Sequence, residues 1–304
     1  MSFHSITING VEVVVFRDDL NHSTVSGNKL HKLKPSFAAA NAHNYTTVLS
    51  FGGPFSNHLH ALAWACKESG FNSIGVVRGE LHAQLTPTLL DCEAWGMRLV
   101  ASTRKDYRSY QNALALTPQP CLANELKPTI DIALDEPERT LVIPEGGSNE
   151  AAIESLNDAY SSVLTSQYCQ GITHAVCATG TGATLAGLYK AAKKSDITPL
   201  NIVGIQAVAE QDATLKRVHY WLREQPKNVR IEAGHLGGFG KTPTELMAFI
   251  DAFETTFNVP LDPVYNGKAM LKISQMINAG AFKKSDKILF IHTGGLQGKR
   301  SLST

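Results

Sequence analysis

Hydrophobic and polar positions follow two recurring patterns along the chain. Short runs of apolar and β-branched residues, such as 11–17 and 46–51, predict buried strands. Longer stretches carry apolar residues at i, i+3, i+4 and i+7, as residues 59, 62, 63 and 66 do, and predict helices. Strands and helices alternate through most of the chain, which predicts an α/β fold with mostly parallel sheets covered by helices on both faces.

The length of 304 residues exceeds what a single hydrophobic core usually organises, so we predict two domains, each with its own sheet. Hydrophobic residues make up 43% and charged residues 18% of the chain, which is typical of a soluble globular protein. The formal net charge of +1 gives no basis for nucleic-acid or anionic-membrane binding, and no apolar run reaches membrane-spanning length.

Cysteine and histidine spacing bears on metal binding and on the cellular compartment. The five cysteines are widely spread, with no Cys-x-x-Cys pair, and the histidines form no His-x-x-x-His cluster. The first residues lack the basic and apolar regions of a signal peptide. We therefore expect a cytoplasmic protein with reduced thiols and no metal site.

The loop at residues 179–184, Thr-Gly-Thr-Gly-Ala-Thr, joins a predicted strand to a predicted helix. Its small residues allow backbone N–H groups to converge on one anion at the helix N-terminus, and two threonine hydroxyls can add hydrogen bonds. The loop lacks the Gly-x-x-x-x-Gly-Lys signature of nucleotide triphosphatases and fits a dinucleotide fold poorly. Taken alone, it is equally consistent with a phosphate site and with a simple tight turn.

A second loop, residues 52–58, also precedes a helix and offers N–H donors for a carboxylate. Ser56 supplies a hydroxyl and Asn57 a side-chain amide, although Ser56 can equally be only the helix N-cap. His58 and His60 stand two apart and so do not form a metal pair on one helical face. A third loop, residues 293–295, follows the last predicted strand.

Two lysines, Lys29 and Lys32, follow a turn at residues 27–28 and fall on one face of a predicted helix. A lysine at the end of a rigid turn can lose solvation and act as a nucleophilic amine. Taken alone, the stretch favours the alternative, a solvated basic helix start.

In combination and in this order, the lysine turn, the Ser-Asn loop and the Thr-Gly loop resemble pyridoxal-phosphate enzymes of the tryptophan-synthase-β type. The sequence is most similar to the family of 1-aminocyclopropane-1-carboxylate deaminases and D-cysteine desulfhydrases. The resemblance covers nearly the whole chain. The segments that carry it are residues 17–19, 27–29, 56–58, 147–149, 181–184, 262–265, 267–268 and 292–295.

The resemblance implies pyridoxal 5'-phosphate as cofactor and a small amino acid as substrate. Lys29 matches the lysine that forms the Schiff base and takes the α-proton, and Lys32 matches a lysine at the cofactor phosphate. Ser56 and Asn57 match residues at the substrate carboxylate and the cofactor phenolic oxygen, and Tyr265 matches a tyrosine near the leaving group. The positions that match the phosphate loop are Thr181, Gly182, Ala183 and Thr184, and Thr293 is a further cofactor position.

The family fold implies a large cofactor-binding domain, residues 1–32 and 140–304, and a small domain, residues 33–139, that closes over substrate. Each domain is expected to be an open twisted sheet of fold type II. An isologous homodimer is the default expectation for the assembly.

Departures from the family pattern bear on the substrate. Phe55 replaces a usual glutamine, Asn266 stands where the cyclopropane deaminases have a glutamate facing the pyridine nitrogen, and Phe239 replaces a second tyrosine. His58 is more similar to the desulfhydrases. These features favour β-elimination from a small amino acid such as D-cysteine, which gives a keto acid, ammonia and sulfide. Deamination of 1-aminocyclopropane-1-carboxylate and a racemase or dehydratase activity stay open as alternatives.

Two other classes compete with the lyase. A non-catalytic module that binds a phosphate ligand at residues 179–184 would be colourless and would tolerate loss of the Lys29 amine. A nucleotide-dependent oxidoreductase needs an acidic residue at the end of the strand that follows a Gly-rich turn. The predicted strand at 201–208 has no acidic residue at its end, and the first one after it is Glu210. The sequence therefore does not favour an oxidoreductase.

Overall fold

The computed structural model describes residues 1–81, 84–114, 121–126, 132–197, 199–209, 211–238 and 240–302. The strands within these residues are β1 (Phe3–Ile8), β2 (Val11–Phe16), β3 (Thr47–Gly52), β4 (Asn72–Arg78), β5 (Met97–Ser102), β6 (Cys121–Leu122), β7 (Thr140–Val142), β8 (His174–Thr179), β9 (Asn201–Gln206), β10 (Val229–Ala233) and β11 (Lys287–Ile291). The α-helices are α1 (Asn28–Ala42), α2 (Asn57–Ser69), α3 (Pro87–Ala94), α4 (Arg104–Leu114), α5 (Glu150–Leu164), α6 (Ala183–Lys194), α7 (Gln211–Leu222), α8 (Thr244–Phe257) and α9 (Asn266–Asn278). No helix in these ranges is both long and apolar enough to cross a bilayer.

The chain divides into two compact units, the first of which contains Met1–Asn28 and Leu156–Lys299. Its six-stranded sheet has the order β1-β2-β11-β8-β9-β10, and every neighbouring pair except β1–β2 is parallel. The carboxyl ends of β2, β8, β9, β10 and β11 therefore lie at one edge of this sheet. In parallel sheets that edge is where ligands bind.

The second unit contains Lys29–Ser155 and Arg300–Thr304. Its five-stranded sheet has the order β5-β4-β3-β7-β6, in which only β6 runs antiparallel to its neighbour. The predicted α/β fold with mostly parallel sheets is confirmed. The antiparallel edge strands β1 and β6 were not predicted. For β1 a signal was present, since Asn9-Gly10 between β1 and β2 is typical of a hairpin turn.

The two units do not have the same ranges as the predicted domains. Residues 29–32 and 140–155 belong to the second unit, whereas the predicted ranges assign them to the large domain. For residues 140–142 the reason is β7, which pairs with β3 in the second sheet. The predicted domain ranges themselves stay a prediction.

The apolar pattern of each strand follows from its place in the sheet. The central strand β8 has all six residues buried, and β11 has four of five. Helices cover such strands on both faces, so their sequences are continuous apolar runs. In the first unit, Phe290 and Val176 pack with Ile250 and Ile273 of α8 and α9, which fixes both helices on the sheet.

Candidate active site

The turn that precedes Lys29 packs backbone to backbone against the loop that follows β11. A Cβ atom on Gly27 would lie 2.0 Å from the carbonyl oxygen of Thr293, and one on Gly294 would lie 2.4 Å from that of Ser26. Both glycines have positive φ, +87° and +80°. Only glycine combines this conformation with so close an approach, so the turn and the loop are held in contact by the absence of side chains.

Asn21, which was not among the predicted site residues, holds the same turn from its other side. Its Oδ1 accepts a hydrogen bond from the Gly27 N–H at 2.9 Å, and its Nδ2 donates to the Gly27 carbonyl at 3.1 Å. The Asp18 carbonyl also accepts from the Gly27 N–H, at 3.0 Å. An asparagine amide that bonds nearby backbone in this way is a common turn device, and the Asp-Asp-Leu-Asn sequence was its only signal.

In the loop after β8, two backbone carbonyl groups accept hydrogen bonds from side chains of α7. The Gly180 carbonyl accepts from Thr214 Oγ1 at 3.1 Å, and the Thr181 carbonyl accepts from Arg217 Nε at 3.3 Å. In a trans peptide the carbonyl and the N–H point in opposite directions, so the N–H groups of Thr181 and Gly182 point away from α7. Gly182, with φ +100°, caps α6 without a side-chain bond. The donor set is suited to a phosphate.

Asn28 links the lysine turn to this loop. Its Nδ2 donates to the Thr184 hydroxyl oxygen at 2.7 Å, and its backbone N–H donates to the Thr293 carbonyl at 3.4 Å. Both Asn28 and Thr184 are buried. The residue immediately before Lys29 is therefore fixed to the predicted phosphate loop. Asn28 was read only as a turn residue, because hydrogen bonds between distant segments leave no local sequence signal.

Asn266 is fully buried, and its amide groups have internal partners. Its Nδ2 donates to Asp262 Oδ1 at 2.6 Å and to the Gly294 carbonyl at 2.7 Å, and its Oδ1 accepts from the Thr293 N–H at 3.0 Å. The Thr293 hydroxyl lies 3.3 Å from the same oxygen. The side chain supports the loop at 293–294. A role opposite the pyridine nitrogen stays a prediction.

Tyr265 lies against the phosphate loop within the first unit. A Cβ atom on Gly180 would be 3.4 Å from Tyr265 Cε1 and 3.8 Å from its hydroxyl oxygen. Its backbone N–H donates to Asp262 Oδ2 at 2.8 Å, which fixes the start of α9. The structure thus brings Tyr265, Asn266, Thr293 and residues 181–184 to one edge of the first sheet. Phe239 lies outside the described residues.

In the second unit, the Ser-Asn loop begins α2 at the end of β3. Ser56 is the N-cap, as predicted, and its Oγ accepts from the Leu59 N–H at 3.2 Å. A Cβ atom on Gly52 would lie 2.4 Å from Ser56 Oγ, so the glycine lets the helix start approach the strand end. Asn57, the first residue of α2, is half-buried. The predicted carboxylate contacts stay a prediction.

His58 is buried and its tautomer follows from its neighbours. Its Nε2 lies 2.7 Å from Ser50 Oγ, and the Ser50 hydroxyl donates to the Ile143 carbonyl at 2.7 Å. Since the serine proton is used there, Nε2 donates, and Nδ1 is left as an acceptor without a partner among the described residues. Burial, reinforced by the charges of Lys29 and Lys32, lowers the pKa of His58 to about 3, so the ring is neutral.

Lys32 is also buried in the second unit. Its Nζ donates to the Gly146 carbonyl at 3.1 Å and lies 3.4 Å from Ser148 Oγ. The Asn149 side chain caps the start of α5, where its Oδ1 accepts a hydrogen bond from the Ala152 N–H at 2.8 Å. Lys29 is half-buried. The roles of both lysines toward a cofactor stay predictions.

The chain is similar to known proteins over nearly its whole length. The chain is 28% identical over 301 residues to the D-cysteine desulfhydrase of Klebsiella pneumoniae, covering 94% of this chain and 87% of that one. It is also 28% identical over 306 residues to the bifunctional D-cysteine desulfhydrase/1-aminocyclopropane-1-carboxylate deaminase of Arabidopsis thaliana, covering 95% and 74%. A crystal structure of an ACC deaminase homologue matches with a TM-score of 0.76 and 26% identity, covering 97% of this chain and 89% of the other.

A model of the pyridoxal-phosphate dependent enzyme family matches residues 4–294. This range spans both units and every site residue named above. The resemblance drawn from the motifs is thereby confirmed, together with the cofactor that it implied. The chain belongs to the family of pyridoxal-phosphate-dependent enzymes.

Proposed function

We propose that the chain is a lyase that converts D-cysteine and water to pyruvate, ammonia and hydrogen sulfide. The single observation that carries the proposal is the pair of bonds by which Asn28 reaches Thr184 and Thr293. These bonds fix the residue before a lysine to a phosphate-type loop. The names of the relatives support the reaction class.

The chemistry of the donor groups fits the cofactor. The N–H groups of Thr181 and Gly182 and the start of α6 would hold its phosphate. We propose that the Lys29 amine binds its aldehyde. Thr293 would also help to hold the cofactor, and the Asn57 amide would bind its phenolic oxygen. When bound, pyridoxal phosphate acts as an electron sink that stabilises negative charge at the substrate α-carbon.

The start of α2 is suited to the substrate carboxylate. The Ser56 oxygen accepts from the Leu59 N–H, which leaves the hydroxyl proton available as a donor. The backbone N–H groups of the first turn of α2 and the helix dipole also favour an anion at this position. Neutral His58 contributes no charge there, so the N–H and hydroxyl donors would bind the carboxylate without an ion pair.

The proton steps are assigned to two side chains. The Lys29 amine would take the proton from the substrate α-carbon as a general base. The C–S bond then breaks, with its electron pair leaving on sulfur. The Tyr265 hydroxyl would supply the proton that converts the leaving hydrosulfide ion to hydrogen sulfide. Water hydrolyses the remaining enamine to pyruvate and ammonia.

Deamination of 1-aminocyclopropane-1-carboxylate is the second candidate, because both activities occur in the name of the Arabidopsis relative. Opening a cyclopropane ring needs strong electron withdrawal. The neutral Asn266 amide already bonds Asp262, Gly294 and Thr293, so no carboxylate at that position holds a proton on the pyridine nitrogen. The sequence also has Phe239 where the deaminases have a tyrosine. Both features favour desulfhydration.

A substrate panel separates these activities. We expect sulfide and pyruvate from D-cysteine. For pyruvate formation, kcat/KM with D-cysteine should exceed that with L-cysteine or D-serine by at least about tenfold, a barrier difference of roughly 1.4 kcal/mol. We expect no 2-oxobutanoate from 1-aminocyclopropane-1-carboxylate. Keto acid and sulfide are measured separately. Preferred turnover of the cyclopropane substrate would reverse the assignment, and a yellow protein inert toward all four would leave only cofactor binding.

We also propose that the chain forms an isologous homodimer in the cytoplasm. Closed two-fold dimers are the commonest assemblies of soluble enzymes, and all five cysteines are free thiols, as expected in a reducing compartment. Light scattering that gives the mass of one chain would contradict the dimer.

A further inference from the structure

A cavity of about 190 Å³ lies in the first unit, beside the end of β10. Residues 233–237 form one wall, and Lys268, Leu271, Lys272 and Gln275 of α9 form the other. Pockets for drug-sized ligands begin at roughly 300 Å³. This cavity therefore suits a ligand of a few heavy atoms.

The lining of the cavity is basic. Lys268 and Lys272 stand one helical turn apart on α9 and face the same side. His235 lies on the opposite wall, and the described lining residues include no aspartate or glutamate. A small cation would be repelled here, whereas an anion would meet three groups able to donate hydrogen bonds.

Among the described residues, no carboxylate forms a salt bridge with the buried ammonium group of Lys268. Its Nζ donates to the carbonyl groups of His235 at 3.2 Å and Gly238 at 2.8 Å, which uses two of its three protons. Burial lowers its pKa to about 8, although the charge of Asp262 raises it. The Asp262 oxygens accept instead from the N–H groups of residues 264–266 and from the Asn266 amide.

The other two basic side chains are also able to donate. His235 Nδ1 accepts from the Gly237 N–H at 3.2 Å, so the neutral ring carries its proton on Nε2. Lys272 is half-buried and forms no ion pair within the described ranges. The cavity thus combines a buried ammonium, a second ammonium and an imidazole N–H.

We propose that this cavity is a binding site for a small oxyanion, either phosphate or a carboxylate, held by Lys268, Lys272 and His235. An unpaired buried charge is costly, and an anion that enters the cavity offsets that cost. An apolar ligand would instead remove the ammonium groups from water without giving them a partner. None of the lining residues belongs to the phosphate loop at 181–184, and the proposal does not depend on the proposed activity.

Calorimetric titration of the holoenzyme tests the proposal, since the cofactor then fills its own phosphate loop. Inorganic phosphate and acetate are titrated separately at an ionic strength held constant with sodium chloride. We expect saturable binding of at least one, and the arm that binds identifies the oxyanion. At ten times Kd, that oxyanion should raise the Tm by about 3 °C.

Substitutions locate the bound ion. Lys272→Gln and His235→Gln should each weaken binding by about tenfold, as expected for a lost charged or hydrogen-bonding contact of roughly 1.4 kcal/mol. Lys283→Gln, an exposed lysine of the same unit outside the cavity lining, should bind as wild type does. Absence of saturable binding in both arms, or an affinity that Lys272→Gln leaves unchanged, would overturn the proposal.

Discussion

Gly27→Ala is expected to weaken cofactor binding by about 100-fold, equal to roughly 2.7 kcal/mol. The new Cβ atom would lie 2.0 Å from the Thr293 carbonyl oxygen and 2.7 Å from the Gly294 N, both of them backbone atoms. The turn must therefore move away from the 293–294 loop. Asn28 moves with the turn and loses its hydrogen bonds to Thr184 and Thr293. The backbone of Lys29 is then no longer held in place by the residue before it. Titration with pyridoxal phosphate, followed by absorbance, measures the change.

Gly280→Ala is the matched control for this change. Gly280 has φ +75° in the same unit, but a Cβ atom there would have no heavy atom within 4 Å. The control therefore carries the strain of a positive φ, about 1–2 kcal/mol, without the clash. Cofactor affinity should be that of wild type in Gly280→Ala. Equal affinities in the two variants would show that the contact of the turn with the 293–294 loop does not matter.

Asn266→Ala is expected to lower the free energy of unfolding by at least about 3 kcal/mol. Three buried groups lose a partner: the Gly294 carbonyl, the Thr293 N–H and Asp262 Oδ1. Each such loss costs about 1–3 kcal/mol. In a chain of this size we expect the Tm to fall by about 6 °C or more. Calorimetry of the apoprotein measures this change without a contribution from the cofactor.

Asn278→Ala, at the exposed end of the same helix, controls for the loss of an asparagine from α9. Exposed substitutions of this kind change stability by about 0.5 kcal/mol or less. A Tm for Asn266→Ala within a degree or so of the Asn278→Ala value would mean that the buried amide network does not stabilise the loop.

Local patterns predicted most of the fold. The apolar runs of β8 and β11 identified them as strands, although not as central ones, and Ser56 was recognised as an N-cap because capping depends on neighbouring residues. Edge strands were harder to predict from the sequence, since β1 alternates only weakly between buried and exposed positions and β6 has only two residues. The Asn9-Gly10 turn was the usable signal for the first hairpin.

The candidate site was predicted from the order of its motifs, while its internal contacts were not. The bond from Asn28 to Thr184 joins residues 156 positions apart, and periodicity carries no information at that range. Asn266 was read as a substitution for a glutamate. The structure adds that its amide bonds three neighbours, which explains why a neutral side chain of this shape suits a buried position.

Borohydride reduction followed by peptide mass mapping tests the central claim, a covalent bond between the Lys29 amine and the cofactor aldehyde. We predict a protein that absorbs in the near-visible, with the reduced cofactor attached to the peptide that carries Lys29. Lys29→Ala should lose both signals, whereas Lys34→Ala, an exposed lysine on the same helix, should keep them. Cofactor attached to a different lysine, or colour that survives in Lys29→Ala, would contradict the account.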